Sequence, residues 1–168
     1  MGFQVHQFSC LSDNYGFLIH DPVSGDTGSI DTPDASAINF ALEEKGWRLT
    51  HIFNTHHHFD HAGGNEVLKE KWGCSVVGFE KDFERISGID IKVKGGDSVP
   101  FGATSAHVLE VAGHTSGHIA YYFEKEGIVF VGDTLFALGC GRLFEGTADQ
   151  MWASLQKFVL FGSQEHFF

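Results

Sequence analysis

Thr55-His56-His57-His58-Phe59-Asp60-His61-Ala62-Gly63-Gly64 packs four imidazoles and a carboxylate into six residues. Folding rarely demands that density; a pair of metal ions does. In extended backbone, residues two apart point to the same side. His56 and His58 can therefore grip one cation while His57 and Phe59 face away. Asp60 and His61 are neighbours, so both reach a second cation only if the chain turns sharply out of the strand. Gly63 and Gly64 permit that turn and a close approach of backbone to the site. The bland alternative is a polar loop whose histidines only meet solvent.

Working outward, His51 to Thr55 reads as the strand that delivers this run. Upstream, Val5 to Phe8, Tyr15 to His20 and Gly28 to Ile30 read as short strands. They are joined by turns at Ser12-Asp13-Asn14 and Ser24-Gly25-Asp26. Asp34 is placed to cap a helix through Ile38, Ala41 and Leu42 that stops at Gly46. Downstream, Asn65 to Trp72 reads as a helix with Val67, Leu68 and Trp72 on one side. Strands follow at Val76 to Phe79 and His107 to Val111, then a hairpin of Ile119 to Phe123 and Ile128 to Val131. A last helix runs from Ala148 to about Phe158, with Met151, Trp152, Leu155 and Phe158 apolar at helical spacing. Alternating strands and helices with histidines at strand ends predict a layered α/β domain with its site on one sheet edge.

Composition agrees. The 168 residues suit one domain with a core, and 42% hydrophobic against 20% charged residues is globular usage. A net charge of -11 argues against a nucleic-acid partner, which needs clustered Lys and Arg. An anionic small substrate is still possible if divalent cations dominate the local field. No apolar run is long enough to span a membrane, and the first residues lack the regions of a signal peptide. A cytoplasmic location is the expectation. Cys10, Cys74 and Cys140 are widely spaced and odd in number, which reads as reduced, structural cysteines.

Two further segments carry ligand-type side chains beside glycine just beyond a strand: Gly113-His114-Thr115-Ser116-Gly117-His118 and Gly132-Asp133-Thr134. With these, the chain from about Val5 to about Leu155 resembles the metallo-β-lactamase superfamily and, within it, glyoxalase II, the hydroxyacylglutathione hydrolases. Cys140-Gly141-Arg142-Leu143-Phe144-Glu145-Gly146-Thr147 resembles the bacterial glyoxalase II version. The resemblance implies an αββα sandwich over residues 1–158, its C-terminal part incomplete. It implies that His56, His58 and His114 hold a first metal, that Asp60 and His61 hold a second, and that Asp133 bridges both, with Asp60 and Asp133 at the catalytic centre. Arg142 and Phe144 fall where the family contacts glutathione. The family often has Tyr at the Phe144 position. Asp31 matches a carboxylate that orients the metal loop, and His118 a residue behind the ligands.

The cofactors implied are two divalent ions, zinc first and iron or manganese also compatible. The implied reaction is attack of a metal-bridging hydroxide on a thioester carbonyl. S-(2-hydroxyacyl)glutathione, such as S-lactoylglutathione, would yield glutathione and a 2-hydroxy acid, a step of methylglyoxal detoxification. A thiolate leaves well and needs no strong general acid. Cys140 has no evident base to make it a nucleophile.

Against the family, the chain stops early. Residues 159–168 read as a divergent tail, and the expectation is that the family's helical C-terminal glutathione-binding domain is absent. His166 follows its glutamate and comes too early to match the family's last second-metal histidine, so it reads as a tail residue. Exposed apolar surface is expected at Phe158, Val159, Leu160, Phe161, Phe167 and Phe168, favouring self-association. Two rivals stand beside the hydrolase. One is another superfamily enzyme, such as a persulfide dioxygenase with one iron on His56, His58 and His114. The other is a truncated metal-binding remnant with little or no activity.

Overall fold

The computed structural model describes residues 2–159, 161 and 165–168. Its first sheet runs in the order β1 (Gln4–Cys10), β2 (Asn14–His20), β3 (Thr27–Ile30), β4 (His51–Phe53), β5 (Ser75–Phe79), β6 (Ile91–Val93). Pairing is antiparallel from β1 to β3 and parallel from β3 to β6. The second sheet contains β7 (Ser98–Phe101), β8 (Thr104–Glu110), β9 (Ile119–Phe123), β10 (Ile128–Phe130) and β11 (His166–Phe167). Its spatial order is β11-β10-β9-β8-β7, with only the β10–β11 pair parallel.

Side-chain alternation decides which layers form. In β4, Ile52 points outward to a cluster with Leu18, Val76, Ile38, Leu42 and Leu68, while Phe53 points between the sheets. In β9, Ile119, Tyr121 and Phe123 face inward and Ala120 faces the opposite side. This period of two puts Phe53, Phe79, Phe101, Tyr121, Phe123 and Phe130 into one aromatic core between the sheets. Helices α1 (Ala35–Lys45) and α3 (Asn65–Trp72) contribute to the outer cluster of the first sheet, and α4 (Ala148–Val159) to that of the second. The order of layers is αββα, as the resemblance implied.

Local signals set most boundaries. Asp34 accepts from the amides of Ser36 and Ala37 at 2.8 and 3.2 Å, and Gly46 ends α1 at φ +67°. Three readings change. The expected strand through Thr55 stops at Phe53, because the amide of Thr55 turns to Asp31 and its carbonyl accepts from Ile119 of the other sheet. Val67 and Trp152 are exposed, and the buried positions of their helices are Leu68 with Asn65, and Met151 with Ser154 and Phe158.

The third change is in the tail. Phe158 is buried, and Glu165–Phe168 lies alongside β10 with Phe168 stacked on Phe130 at 5.5 Å. Phe168 thus packs against the main core. Val159 is exposed as expected, while Leu160 lies outside the described residues. No helix among the described residues is long and apolar enough to cross a membrane.

One buried hydrogen bond joins the two sheets where the metal loop begins. The Tyr121 hydroxyl donates to the carbonyl of Asn54 at 2.8 Å, deep in the core. Tyr121→Phe keeps the ring and deletes the donor. It should lower unfolding free energy by about 1 to 3 kcal/mol, read as a shifted denaturant midpoint with an unchanged slope.

Candidate metal centre

The C-terminal ends of β3, β4, β8 and β10 open on one edge of the sandwich, and the expected ligands sit there. After β4 the chain bends at Thr55 and, past an extended His58, enters the four-residue helix α2 (Phe59–Ala62). That helix, rather than the glycines, makes the turn that presents Asp60 and His61. Gly63 and Gly64 have ordinary negative φ and serve the close approach alone. A Cβ on Gly64 would lie 2.9 Å from the carbonyl oxygen of Thr32. Beneath the loop, Asn54 and Asn65 are fully buried and bonded to each other, and Asn54 also donates to the carbonyl of His61.

Three imidazoles converge. His58 Nδ1 lies 3.1 Å from His56 Nε2 and 3.0 Å from His114 Nε2. The hydrogen-bond partners identify the tautomers. The carbonyl of Arg142, 2.7 Å from His114 Nδ1, can only accept, so Nδ1 carries the proton and Nε2 presents a lone pair. The Thr55 hydroxyl donates to Asp31 Oδ2 at 2.7 Å and therefore accepts from His56 Nδ1 at 3.0 Å, which frees His56 Nε2. Burial, together with neighbouring imidazoles, lowers the pKa of His56 and His58 and keeps both neutral.

His56 Nε2 and His114 Nε2 each present a lone pair to His58 Nδ1, which has at most one proton to share between them, whereas a cation satisfies all three nitrogens. Zinc–nitrogen bonds of roughly 2.0–2.1 Å in a tetrahedral set separate the nitrogens by about 3.3 Å, close to the spacing here. The donor set fits a divalent ion.

The second group is Asp31, His56 and His61, whose ligand-type atoms lie within 4.8 Å of one another. His61 donates from Nδ1 to Asp31 at 2.8 Å. Its Nε2 faces Asp133 Oδ1 at 3.3 Å and Asp60 Oδ2 at 3.7 Å. Burial opposes the charged form, but the carboxylates of Asp31 and Asp133 outweigh it and raise His61 to about 10. Asp133 touches both halves, its Oδ2 lying 3.3 Å from His114 Nε2.

His118 accepts from the amide of Asp133 at 3.1 Å and, fully buried, falls to about 3. It therefore holds Asp133 from behind. Gly132 packs against it at φ +52°, where a Cβ would come within 2.7 Å of the His118 ring and of Thr55.

Phe144 stacks edge-on against His58 and His114 at 5.4 and 5.3 Å and stays largely exposed. The side chain of Arg142 is exposed too, and its observed contribution is the main-chain carbonyl on His114. On the His61 side a cavity of about 490 Å³ is lined by Asn14, Tyr15, Phe17, Asp60, Asp133 and Phe168, among others. Three contributors escaped the sequence reading. Thr55 relays Asp31 to His56, Asn14 donates to Asp60 at 3.2 Å, and the 142 carbonyl sets a tautomer. Asn14 had been assigned to a turn but opens β2. His166 is exposed on β11 and belongs to neither ligand group. All three cysteines are free; Cys10 and Cys74 are buried, whereas Cys140 is exposed rather than structural.

A family model described as the metallo-beta-lactamase superfamily matches residues 21–161. A hydroxyacylglutathione hydrolase of Maricaulis maris is 56% identical over 153 residues, covering 91% of this chain and 60% of its own length. One of Brucella ovis is 57% identical over 156 residues, covering 93% and 61%. The chain thus spans about 60% of the length of these curated relatives. Among solved structures, ETHE1 from Myxococcus xanthus is 34% identical with a TM-score of 0.81, covering 95% of this chain and 71% of that one. The BLEG-1 B3 metallo-beta-lactamase, 23% identical with a TM-score of 0.83, covers 94% of this chain and 86% of its own and shares the fold.

The site predicts opposing pH limbs after chelation. His61, raised from 6.5 to about 10, stabilises fully below pH 6.5 and loses this as pH rises toward 10. His118, depressed to about 3, costs stability as pH falls from 6.5 toward 3, because the unfolded imidazole takes a proton that the buried one refuses. Thermal melts of the chelated protein across pH should therefore peak near neutrality. Asp31→Asn should flatten the alkaline limb and weaken zinc binding by roughly 10- to 100-fold.

Proposed function

The chain belongs to the metallo-beta-lactamase superfamily, and on that premise we propose that it hydrolyses the thioester of S-(2-hydroxyacyl)glutathione. The observation that carries this reading is the convergence of three imidazole nitrogens, two of them with their tautomers fixed, beside a carboxylate shared with His61. The similarity to hydroxyacylglutathione hydrolases supports the substrate class. S-Lactoylglutathione is the natural probe, which ties the chain to methylglyoxal detoxification in the cytoplasm.

His56, His58 and His114 would hold the first ion, Asp60 and His61 the second, with Asp133 between them; zinc suits the donors best, with iron or manganese compatible. Divalent ions there supply Lewis acidity and a lowered pKa for water. The rest falls to the chain. Asp31 and the Arg142 carbonyl hold the Nδ1 protons of His61 and His114, which turns both Nε2 atoms inward; that of His114 is free, and that of His61 gives up its proton when an ion binds. Through Thr55, Asp31 does the same for His56. Asp133 is held ionised by His61 although burial opposes it, so its oxygens remain acceptors toward attacking water.

The acyl group enters the cavity lined by Asp60, His61 and Asp133. The glutathione portion lies across the exposed ring of Phe144 and the side chain of Arg142. The departing thiolate requires no proton donor, and none is called for among the lining residues. Trp152 and Val159, exposed on α4, offer apolar surface for self-association.

Loss of thioester absorbance from S-lactoylglutathione, followed with and without added zinc, tests the reading. Zinc-loaded protein should turn over, and His58→Ala should lower the rate by about 100-fold or more. Zinc uptake without turnover would favour the inactive remnant. Oxygen uptake with glutathione persulfide would favour the dioxygenase.

A further inference from the structure

Behind the three-imidazole set lies a second polar knot that the reaction does not use. Arg85, in the turn that follows β5, is its centre. Its Nη2 donates to Asp82 Oδ1 at 2.6 Å and to the Ser116 hydroxyl at 3.2 Å. Its Nη1 donates to Glu145 Oε1 at 2.7 Å and to His57 Nε2 at 3.4 Å. Glu145 Oε2 in turn accepts from both the amide and the hydroxyl of Ser116 at 2.8 Å.

A guanidinium only donates, so His57 Nε2 accepts and its proton sits on Nδ1. That proton faces Asp82 Oδ2 at 3.6 Å. Neither of these two buried atoms has a hydrogen-bond partner, so their 3.6 Å contact is electrostatic, and Asp82 is only 1% exposed.

The partners belong to both sides of the three-nitrogen set. His57 is the residue between His56 and His58, so fixing its ring fixes the pleat that turns its neighbours inward. Glu145 belongs to the loop whose Arg142 carbonyl holds the His114 ring. That loop also closes on His114 through the amides of Phe144 and Glu145, at 3.1 and 3.4 Å from the His114 carbonyl.

We propose that Arg85 is a positioning residue that clamps the His56–His58 segment, through His57, to the His114-orienting loop, through Glu145. Isolated surface ion pairs contribute little. This one differs because a planar fork joins four partners, one of them a buried carboxylate. Both oxygens of the Glu145 carboxylate are engaged, one by Arg85 and the other by the amide and hydroxyl of Ser116. Lysine keeps the charge but cannot span the four partners.

The inference rests on the metal-centre reading, and the test separates the two. Wild type, R85A, R85K and E145Q are compared for zinc affinity by competition with a chromophoric chelator, and for the visible spectrum of the cobalt-loaded protein. Amide exchange of Phe144 and Glu145 is measured in chelated protein. R85A and R85K should each bind zinc about tenfold more weakly or worse, shift the cobalt bands and exchange those amides faster. E145Q should follow in the same direction and covers the case in which R85A does not fold.

Unchanged zinc affinity and unchanged exchange in the variants would overturn the clamp. So would full rescue by R85K, which would make the role one of charge alone. If wild type takes up no zinc, the metal reading falls. The exchange measurement needs no metal and still decides the clamp: faster exchange in R85A supports it and unchanged exchange overturns it.

Discussion

The Asp31 carboxylate is the constraint on which the site depends. It is nearly buried, and a buried charge is tolerated only when donors surround it. Here they are the amide of Thr55, the hydroxyl of Thr55 and Nδ1 of His61. Reaching them puts Asp31 in the left-handed region at φ +57°, which costs a residue with a Cβ roughly 1–2 kcal/mol. Glycine would adopt that backbone freely but would bring no carboxylate. The position therefore accepts strain in exchange for orienting two imidazoles at once. Parallel pairing of β3 with β4 makes this possible, because it sets the C-terminal ends of the two strands side by side.

The two halves of the cluster attract cations for different reasons. Around His56, His58 and His114, burial keeps the imidazoles of His56 and His58 neutral, so attraction comes from lone pairs. Around His61, carboxylates dominate and a positive charge is favoured outright. A nitrogen-rich half next to an oxygen-rich half is a chemical asymmetry built by one short loop. Asp133 joins them, and His118 keeps it there through the main chain rather than the carboxylate, which leaves one oxygen to face His61 and the other His114.

Much of this could be read locally. The alternation of His56 and His58, the cap at Asp34, the stop at Gly46 and the glycine before Asp133 each depend on residues a few positions apart. What escaped depends on residues brought together from far along the chain. Thr55 looked like the end of a strand because nothing nearby announces that Asp31 will take its amide. The Arg142 carbonyl, which orients His114, is invisible to a reading of side chains. Val67 and Trp152 fit their helical stripes by hydropathy, yet helix rotation is set by what the opposite layer can accept. The strand at His166–Phe167 is too short to show a period, and its pairing with β10 is decided by Phe168 finding Phe17 and Phe130.

Access to the cluster is as one-sided as its chemistry. The His114 face is covered by residues 142–146, which bond to Gly113 and His114, and by the Phe144 ring across His58 and His114. The His61 face opens on the cavity between the β1–β2 hairpin and the Leu135–Phe136 loop. Asn14, at the start of β2, reaches Asp60 and so couples the cavity wall to a ligand-type carboxylate. Through this opening the carboxylate half lies first and the imidazole half behind it. The apolar residues that continue the wall, Phe17, Ile30, Phe130 and Phe168, belong to the same aromatic core that joins the sheets. The packing that stabilises the fold therefore also shapes the space in which an acyl group would lie, and substitutions at these four positions would alter stability and selectivity together.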